Sequence, residues 1–293
     1  MPLISICIPT YNGERYLQEA LDSVKAQTYK NIEVIISDDN SKDHTLEICD
    51  RFKNEVDFPV YIYNHTPSGI GANWNHCIEK ANGEYIQFLF QDDILDTNCI
   101  DLKLKYALEY KLEAICCKRN IIDSSGFKIK TGNWYELYGD LQKNYLNLKF
   151  KEFYILKKEN LKQLEYKNIT KNIFGEPIAF FFKKDIVKKI GFFNRKSKQI
   201  LDIEFGYKIL KRYNIGLIQK PLFSFRFHEQ QTTALNYEIK TNLYPEFESL
   251  KKYIFKSFFL YLNSCSRKKL LKEYYPKVYS FLLRAKFFST IKI

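Results

Sequence analysis

The N-terminal third of the chain predicts an α/β fold in which helices cover a parallel sheet. Short apolar runs rich in β-branched and aromatic residues predict strands at residues 3–8, 32–36, 60–63 and 85–90. Between the first two strands, apolar residues three or four positions apart give a helix one apolar face: Leu17, Ala20, Leu21 and Val24. This alternation predicts βαβ units, whose ligands bind beyond the carboxyl ends of the strands.

The rest of the chain shows weaker patterns. Strands are predicted at residues 114–118 and 179–183, a mostly helical segment at 136–163 and a helix at 201–213. From about residue 237 the pattern is helical, aromatic and basic to the end, with breaks at Pro245 and Pro276. We therefore expect a domain at residues 1–236 and a basic amphipathic helical tail at residues 237–293.

Nearly all of the excess positive charge lies in this tail. The chain has 293 residues and a formal net charge of +12. From Lys251 onward, eleven lysines and arginines accompany the single acidic Glu273, so residues 251–293 hold +10 of this charge and residues 1–250 hold +2. The body is nearly neutral, and the tail is a separate functional question.

The composition also indicates in which cellular compartment the protein is expected. No run approaches the roughly 18 to 20 apolar residues of a membrane span. The apolar run at residues 3–8 lacks a basic leader and ends at Pro9, which argues against a signal peptide. Seven cysteines without a C-x-x-C pair fit reduced core residues better than disulfides or a zinc site. We expect the protein to stay in the cytoplasm.

Two polar loops follow the first two predicted strands. Residues 9–12, Pro-Thr-Tyr-Asn, lack the glycines of a P-loop or a dinucleotide-binding turn and by themselves fit an ordinary turn. The second loop contains Asp38 and Asp39, which can accept the N–H of a pyrimidine base or cap a helix.

A third loop brings the apolar strand at residues 85–90 to the carboxylates Asp92 and Asp93. Adjacent carboxylates repel unless a cation or solvent relieves them, and Mg²⁺ and Mn²⁺ prefer oxygen ligands shared with a phosphate. Such an ion would neutralise a diphosphate leaving group. A solvated acidic turn is the alternative.

Together the three loops resemble those of the family-2 glycosyltransferases, which carry a P-T-Y-N opening, a D-D-x-S second loop and an aspartate pair after the fourth strand. Three further segments agree: Ala-Gln-Thr-Tyr at 26–29, Asn-Trp-Asn at 73–75 and Ala-Asn-Gly-Glu-Tyr-Ile at 81–86. The resemblance spans roughly residues 3–96. It implies a GT-A fold, which is a Rossmann-like mixed sheet flanked by helices, here with a C-terminal helical appendage.

The resemblance also implies residue roles in a nucleotide-sugar and metal half, residues 1–96. Thr10, Tyr11 and Asp39 would hold a uracil or thymine base, Asp92 would lie near ribose and phosphate, and Asp93 would bind a divalent metal, Mn²⁺ or Mg²⁺. The full predicted nucleotide-sugar site is Pro9, Thr10, Tyr11, Asp38, Asp39, Asn73 and Asp92. Asn73 stands where the family usually has an arginine.

Residues 97–236 would form the acceptor half. Residues 174–177 resemble the acceptor-side loop of the family, and Asp202 takes the place of its general base. A base is needed because an acceptor hydroxyl is a poor nucleophile until its proton is removed, and direct displacement would invert the anomeric centre. Leu201 stands where a glutamate is common, Glu204 is the alternative base, and Asp202 can also be read as a helix cap.

His228 matches a family position near the nucleotide phosphates and is predicted as a metal ligand. A lone histidine is more often structural.

The tail carries aromatic and aliphatic residues at helical spacing among its lysines: Phe255, Phe258, Phe259, Leu262, Tyr279, Leu282, Leu283 and Phe287. Cationic amphipathic helices of this kind lie on anionic membranes. The tail would then bring the protein to a lipid-linked acceptor on the inner face of the cell membrane. Core-capping helices with a solvated basic face are the equal alternative.

The predicted activity is hexosyl or N-acetylhexosaminyl transfer from a nucleotide-diphosphate sugar, with a UDP-sugar favoured. The acceptor would be a hydroxyl of a glycan or lipid-linked saccharide, in cell-surface polysaccharide or lipopolysaccharide synthesis. A nucleic-acid-binding protein would explain the basic tail but not the three loops. A sugar nucleotidyltransferase would need a glycine-rich first loop, which residues 9–12 do not provide.

Overall fold

The computed structural model of the chain describes residues 1–229, 231 and 242–284. Within these residues nine strands form one mixed sheet. The strands are β1 (Ile4–Thr10), β2 (Ile32–Asp38), β3 (Val60–Asn64), β4 (Tyr85–Phe88), β5 (Ile94–Leu95), β6 (Ala114–Ile122), β7 (Phe153–Leu156), β8 (Phe180–Lys183) and β9 (Ile215–Arg226).

Helices lie on both faces of the sheet and continue beyond it. They are α1 (Leu17–Lys25), α2 (Thr45–Glu55), α3 (Ile70–Lys80), α4 (Cys99–Glu109), α5 (Asn133–Tyr138), α6 (Leu141–Leu146), α7 (Val187–Ile190), α8 (Leu201–Arg212), α9 (Tyr244–Phe258), α10 (Ser264–Tyr274) and α11 (Pro276–Arg284). Short 3₁₀ helices cover Lys158–Gln163, Tyr166–Asn168, Pro177–Ala179, Lys184–Ile186 and Phe259–Tyr261.

The sheet has the order β3-β2-β1-β4-β8-β6-β9-β5, and β7 also pairs with β9. The first four strands in this order are parallel, as the βαβ pattern predicts. β8 runs antiparallel between β4 and β6. β9 is parallel to β6 but antiparallel to β5 and β7. The predicted mixed α/β sheet with flanking helices is therefore confirmed.

The core has one hydrophobic cluster on each face of the sheet. β1 and β2 are buried at every position, as expected for strands covered by helices on both sides. Alternate side chains of β1 serve the two clusters: Ile6 packs in the same cluster as Leu17 and Leu21 of α1, whereas Cys7 lies in the other. The predicted apolar face of α1 is the face that packs on the sheet.

The largest difference from the sequence prediction lies at residues 136–163. That segment was expected to be mostly helical, but it contains the end of α5, then α6, β7 and a 3₁₀ helix. Phe153–Leu156 forms a strand because its backbone pairs antiparallel with Ile215–Ile218 of β9. A partner some 60 residues away in sequence overrides the local helical preference.

The first two helices of the tail pack on the body of the protein. Leu250, Ile254 and Phe258 of α9 and Leu270 of α10 are at most 2% exposed, in the same hydrophobic cluster as Phe174. α11 differs, since none of its described side chains is buried. The predicted boundary at residues 236 and 237 and the tail residue Phe287 lie outside the described residues. Among the helices that are described, none is long and apolar enough to cross a membrane.

Candidate active site

Side-chain contacts join the three predicted loops at one edge of the sheet. Because β1 and β2 pair in parallel register, Thr10 lies beside Asp38 at the strand ends, and its hydroxyl donates to Asp38 Oδ1 over 2.8 Å. Gln91 in the third loop accepts from the Tyr11 N–H at 2.8 Å and donates to the Tyr11 carbonyl at 3.0 Å. The loops that lie far apart in sequence therefore form one surface.

The residues predicted to bind the nucleotide sugar divide into buried supports and accessible groups. Pro9, Thr10 and Asp38 are buried, and Asp38 also accepts from the Ser41 N–H at 2.8 Å, so these residues shape the loop. Tyr11 is 56% exposed and can offer its ring to a base. Asp39 is partly buried and contacts His65, which was not predicted as a site residue.

Asn73 lies at the bottom of this surface with an unused acceptor. It is 4% exposed, and its Nδ2 approaches the Thr10 carbonyl at 3.5 Å. Its Oδ1 is buried and has no hydrogen-bond partner among the described residues. A buried polar atom without a partner normally receives one from water or from a ligand.

The two adjacent aspartates of the third loop face different surroundings. Asp92 is partly exposed, and its Oδ2 lies 3.0 Å from Nε2 of His228. Asp93 is 2% exposed, and its Oδ1 accepts the backbone N–H of Arg226 at 3.0 Å. Burial, and then the charge of Asp92, raise the pKa of the Asp93 carboxyl well above its ordinary value.

Arg226, at the end of β9, holds this loop in place. Its Nε donates to the Asp92 carbonyl at 2.9 Å and its Nη2 to Glu19 Oε2 at 2.6 Å, while the guanidinium lies 4.4 Å from the centre of the Tyr16 ring. The side chain is 1% exposed. This arginine was not predicted as a site residue, although it lies two residues before the predicted His228.

Asp92 and His228 provide a donor set that suits a divalent cation. The part of the chain that the structure describes contains no group of three or more His, Cys, Asp or Glu side chains arranged for a metal. Mg²⁺ commonly takes only one or two protein carboxylates and completes its shell with phosphate oxygens and water. Nδ1 of His228 is buried without a hydrogen-bond partner among the described residues. The pair therefore fits an ion that is shared with a diphosphate.

On the acceptor side, Asp202 lies in the first turn of α8 and connects to the loop at residues 174–177. Asn172 Nδ2 donates to Asp202 Oδ2 at 2.7 Å and to the Gly175 carbonyl at 3.1 Å. Burial, and then the negative charge of Glu176, raise the pKa of Asp202 to about 7. A carboxylate with this pKa suits a general base at neutral pH.

The alternatives for Asp202 can be compared with the geometry. The cap position of α8 is Ile200, which makes no side-chain cap hydrogen bond, but Asp202 Oδ1 accepts the Ile203 N–H in the first turn at 2.8 Å, so a capping role can coexist with that of a base. Glu204 forms an ion pair with Lys208 at 2.8 Å and accepts from Asn194 Nδ2 at 3.3 Å. Its carboxylate is therefore occupied by partners on its own side of the helix.

A buried ion pair lies between the donor and acceptor sides. Arg119 of β6 contacts Glu176, donates through Nη2 to the Tyr138 carbonyl at 2.6 Å and is 5% exposed at its side chain. Glu176 is close enough for its charge to raise the pKa of both Asp93 and Asp202. Glu176 therefore lies within electrostatic reach of an aspartate from each predicted half. The loop of Glu176 was predicted from the sequence, but Arg119 was not, since neither its spacing nor its neighbours indicate a role.

Comparison with known proteins agrees with this arrangement. The model of the family described as glycosyl transferase family 2 matches residues 5–191. A glycosyltransferase of Rickettsia typhi is 31% identical over 239 residues, covering 80% of this chain and 68% of the relative. The GalNAc(5)-diNAcBac-PP-undecaprenol beta-1,3-glucosyltransferase of Campylobacter jejuni is 27% identical over 222 residues, covering 74% of this chain and 68% of the relative.

Two solved structures share the fold. TarS 1–349 of S. aureus, in complex with UDP-GlcNAc, has a TM-score of 0.66 at 19% identity, covering 95% of this chain and 73% of that chain. The mannosyltransferase PcManGT of Pyrobaculum calidifontis, in complex with GDP-Man and Mn²⁺, has a TM-score of 0.58 at 13% identity, covering 99% of this chain and 81% of that chain. The sheet of this protein is therefore a GT-A fold.

The fold and the family match define the class of the protein, which is an enzyme, a glycosyltransferase. Because the family model spans more than half of the chain, the chain belongs to glycosyl transferase family 2.

Proposed function

We propose that the enzyme transfers a hexosyl or N-acetylhexosaminyl group from a UDP-sugar to a hydroxyl of a glycan or lipid-linked saccharide, with inversion. The observation that carries this proposal is the joining of the three loops at one edge of the sheet, where Thr10 donates to Asp38 and Gln91 bonds the Tyr11 backbone. Single displacement by an activated hydroxyl requires a donor site and, beside it, a carboxylate with a raised pKa that can act as the base. The UDP-GlcNAc bound by TarS supports the choice of donor.

The donor would be held by residues of the three joined loops. Tyr11 and Asp39 would contact the base, with Thr10, Asp38 and Pro9 as the buried support beneath them. Oδ1 of Asn73 would accept a hydrogen bond from a hydroxyl of the donor or from an ordered water beside it. These assignments keep the predicted nucleotide-sugar residues other than Asp92 and give Pro9, Thr10 and Asp38 a supporting role.

We further propose that Asp92 and His228 hold the divalent cation, and that Asp93 supports their loop. This moves the expected metal role from Asp93 to Asp92, because Asp93 is buried against the Arg226 N–H while Asp92 faces His228. When bound, a divalent cation would stabilise negative charge on the leaving diphosphate. Asp202 would take the proton from the acceptor hydroxyl.

Calorimetric titration of UDP in the presence and absence of Mn²⁺ tests these assignments. We expect Asp92→Asn and His228→Gln to lose most of the Mn²⁺-dependent gain in affinity, roughly tenfold or more, since each removes a cation ligand. Asp202→Asn serves as the matched control: it should bind UDP and Mn²⁺ normally but lose transfer to any accepted acceptor. Unchanged Mn²⁺ dependence in both Asp92→Asn and His228→Gln would refute the proposed cation site.

For the acceptor, the name of the Campylobacter jejuni relative points to a polyprenyl-diphosphate-linked saccharide and thus to surface-polysaccharide synthesis. A surface suited to such an acceptor lies on α11, where Val278, Phe281 and Leu283 are 47%, 69% and 50% exposed. Lys277 and Arg284 flank them on the same helix and are exposed. Exposed apolar groups beside cations favour an anionic lipid surface. We propose that α11 docks the enzyme peripherally on the membrane.

A further inference from the structure

Near the ends of β2 and β3, a side-chain contact orients Asp39, the carboxylate proposed to bind the nucleotide base. Asp39 follows β2 and His65 follows β3, and Oδ1 of Asp39 contacts Nδ1 of His65. The two side chains are only 14% and 15% exposed. The backbone fixes their separation, because the His65 N–H donates to the Asp38 carbonyl at 2.7 Å and the Asp39 N–H to the Thr10 carbonyl at 2.9 Å.

A second histidine supports the first. The rings of His65 and His76 lie 5.0 Å apart, and Nδ1 of His76 is 2.7 Å from the hydroxyl of Ser37. Burial, and then the neighbouring His65, lower the pKa of His76, so its ring is neutral at neutral pH. His65 therefore packs against a fixed, uncharged ring on one side and contacts Asp39 on the other.

The contact acts on both the charge and the geometry of Asp39. Burial raises the pKa of the Asp39 carboxyl, and the hydrogen bond with His65 opposes that rise. Because Oδ1 is bonded to His65, Oδ2 remains available as a second acceptor. It accepts no hydrogen bond from residues 1–229, 231 or 242–284. The result is an oriented carboxylate with one unused acceptor at the strand ends where a nucleotide base would lie.

We propose that His65 is a positioning residue that sets base selectivity: by holding Oδ1 of Asp39, it presents Oδ2 to the N3–H of uracil. This inference rests on the proposed use of a UDP-sugar. Cytosine has no proton on N3 and presents a lone pair there, so two acceptors, N3 and Oδ2, would face each other at this position, and the N4 amino group of cytosine could reach Oδ2 only if the base shifted. A site built to bond a donor rejects the analogue that lacks it, because its buried acceptor is then left unpaired.

Calorimetric titration of the full chain with UDP and with CDP, each with Mn²⁺, tests this role. In His65→Phe, which keeps a ring against His76 but has no donor for Asp39, we expect UDP to bind about tenfold more weakly while CDP changes less than about threefold. His65→Asn keeps an N–H near the position of Nδ1. It should retain UDP affinity to within about threefold and restore the preference for UDP.

A histidine whose side chain faces solvent provides the matched control. His44 pairs with Glu47 on the surface and is 72% exposed, so His44→Phe should leave both affinities unchanged. Equal loss of UDP and CDP affinity in His65→Phe, or failure of His65→Asn to restore selectivity, would show that His65 only supports the fold. Those results would leave the proposed glycosyl transfer intact, whereas a wild-type chain that bound no nucleoside diphosphate would overturn both.

Discussion

Two aspartates that are neighbours in sequence have different environments in this protein. Asp93 is turned inward to the Arg226 N–H, whereas Asp92 is partly exposed and faces His228. The motif itself could be recognised from the sequence, and it correctly located the loop. The different surroundings of the two aspartates could not be predicted, because the partner of Asp93 is the backbone N–H of Arg226, 133 residues away.

The same limit applies to His65 and Arg119. Both lie beside residues that the sequence singled out, Asp39 and Glu176, but no spacing links either pair. Such contacts arise only when strands distant in sequence become neighbours in the sheet. Asp202 could be singled out because its segment resembles the acidic motif of the family, and its role as the base stays a prediction.

The environment of Asp202 predicts a pH dependence. A base acts in its ionised form, so transfer should fall as the pH drops through the Asp202 pKa of about 7. Glu176→Gln removes the negative charge that helps to raise this pKa, so the acidic limb of the kcat profile should move to lower pH. The measurement is kcat at pH values from about 5 to about 9, a range that includes the pKa of Asp202.

Glu204→Gln is the comparison for this profile, since the Glu204 carboxylate is paired with Lys208. It should leave the limb in place and transfer largely intact. Loss of transfer in Glu204→Gln, together with an unmoved limb in Glu176→Gln, would instead make Glu204 the base.

At the level of elements, α8 and the acceptor loop are locked together by a glycine. A Cβ at Gly206 would lie 2.3 Å from Cδ2 of Phe174, which is fully buried. Gly206 therefore allows the helix that carries Asp202 to approach the loop that carries Glu176. The close contact explains a glycine in mid-helix, where it otherwise costs stability.

Gly206→Ala should lower the free energy of unfolding by about 1–2 kcal/mol, since overpacking outweighs the gain in helix propensity. Transfer should decline more than UDP binding, because the strain falls between Asp202 and Glu176. Urea denaturation and parallel UDP titration measure the two effects. Arg212→Ala, at the exposed end of the same helix, should stay within about 0.5 kcal/mol of wild type. If Gly206→Ala had the same free energy of unfolding as the wild type, that result would contradict the close packing.

The parallel half of the sheet could be predicted from sequence, since its strands are short apolar runs separated by one amphipathic helix each. The second half could not be predicted as well. β7 forms because Phe153–Leu156 finds an edge of β9, and local preference does not report such partners.

Across the whole molecule, the tail divides into helices that pack on the body and one that stays exposed. α9 and α10 contribute Phe258 and Leu270 to the core, so they belong to the folded body. α11 leaves Phe281 exposed among basic residues. Helical spacing alone predicts an apolar face but not what covers it.

Vesicle co-sedimentation of the full chain tests the role of α11. Phe281→Glu should weaken binding to vesicles of phosphatidylcholine and phosphatidylglycerol by about tenfold, the loss expected when one large apolar side chain no longer inserts. Binding should also fall between low and high salt because screening weakens attraction to anionic lipid. Phe127→Glu is the matched control, since Phe127 is 73% exposed but lies on the body. Equal binding by wild type and Phe281→Glu would exclude docking through α11.

The last strand of the sheet has a consequence for the order in which the protein acquires its activity. β9 pairs with β5, and its terminal Arg226 closes the loop of Asp92 across more than 130 residues of chain. Contacts of such long sequence separation are slow to form, because a large loop must close before they contribute stability. The N-terminal βαβ units can therefore assemble early as the chain is synthesised. Competence to bind a donor, however, has to wait until the strand that follows α8 has been made and has docked.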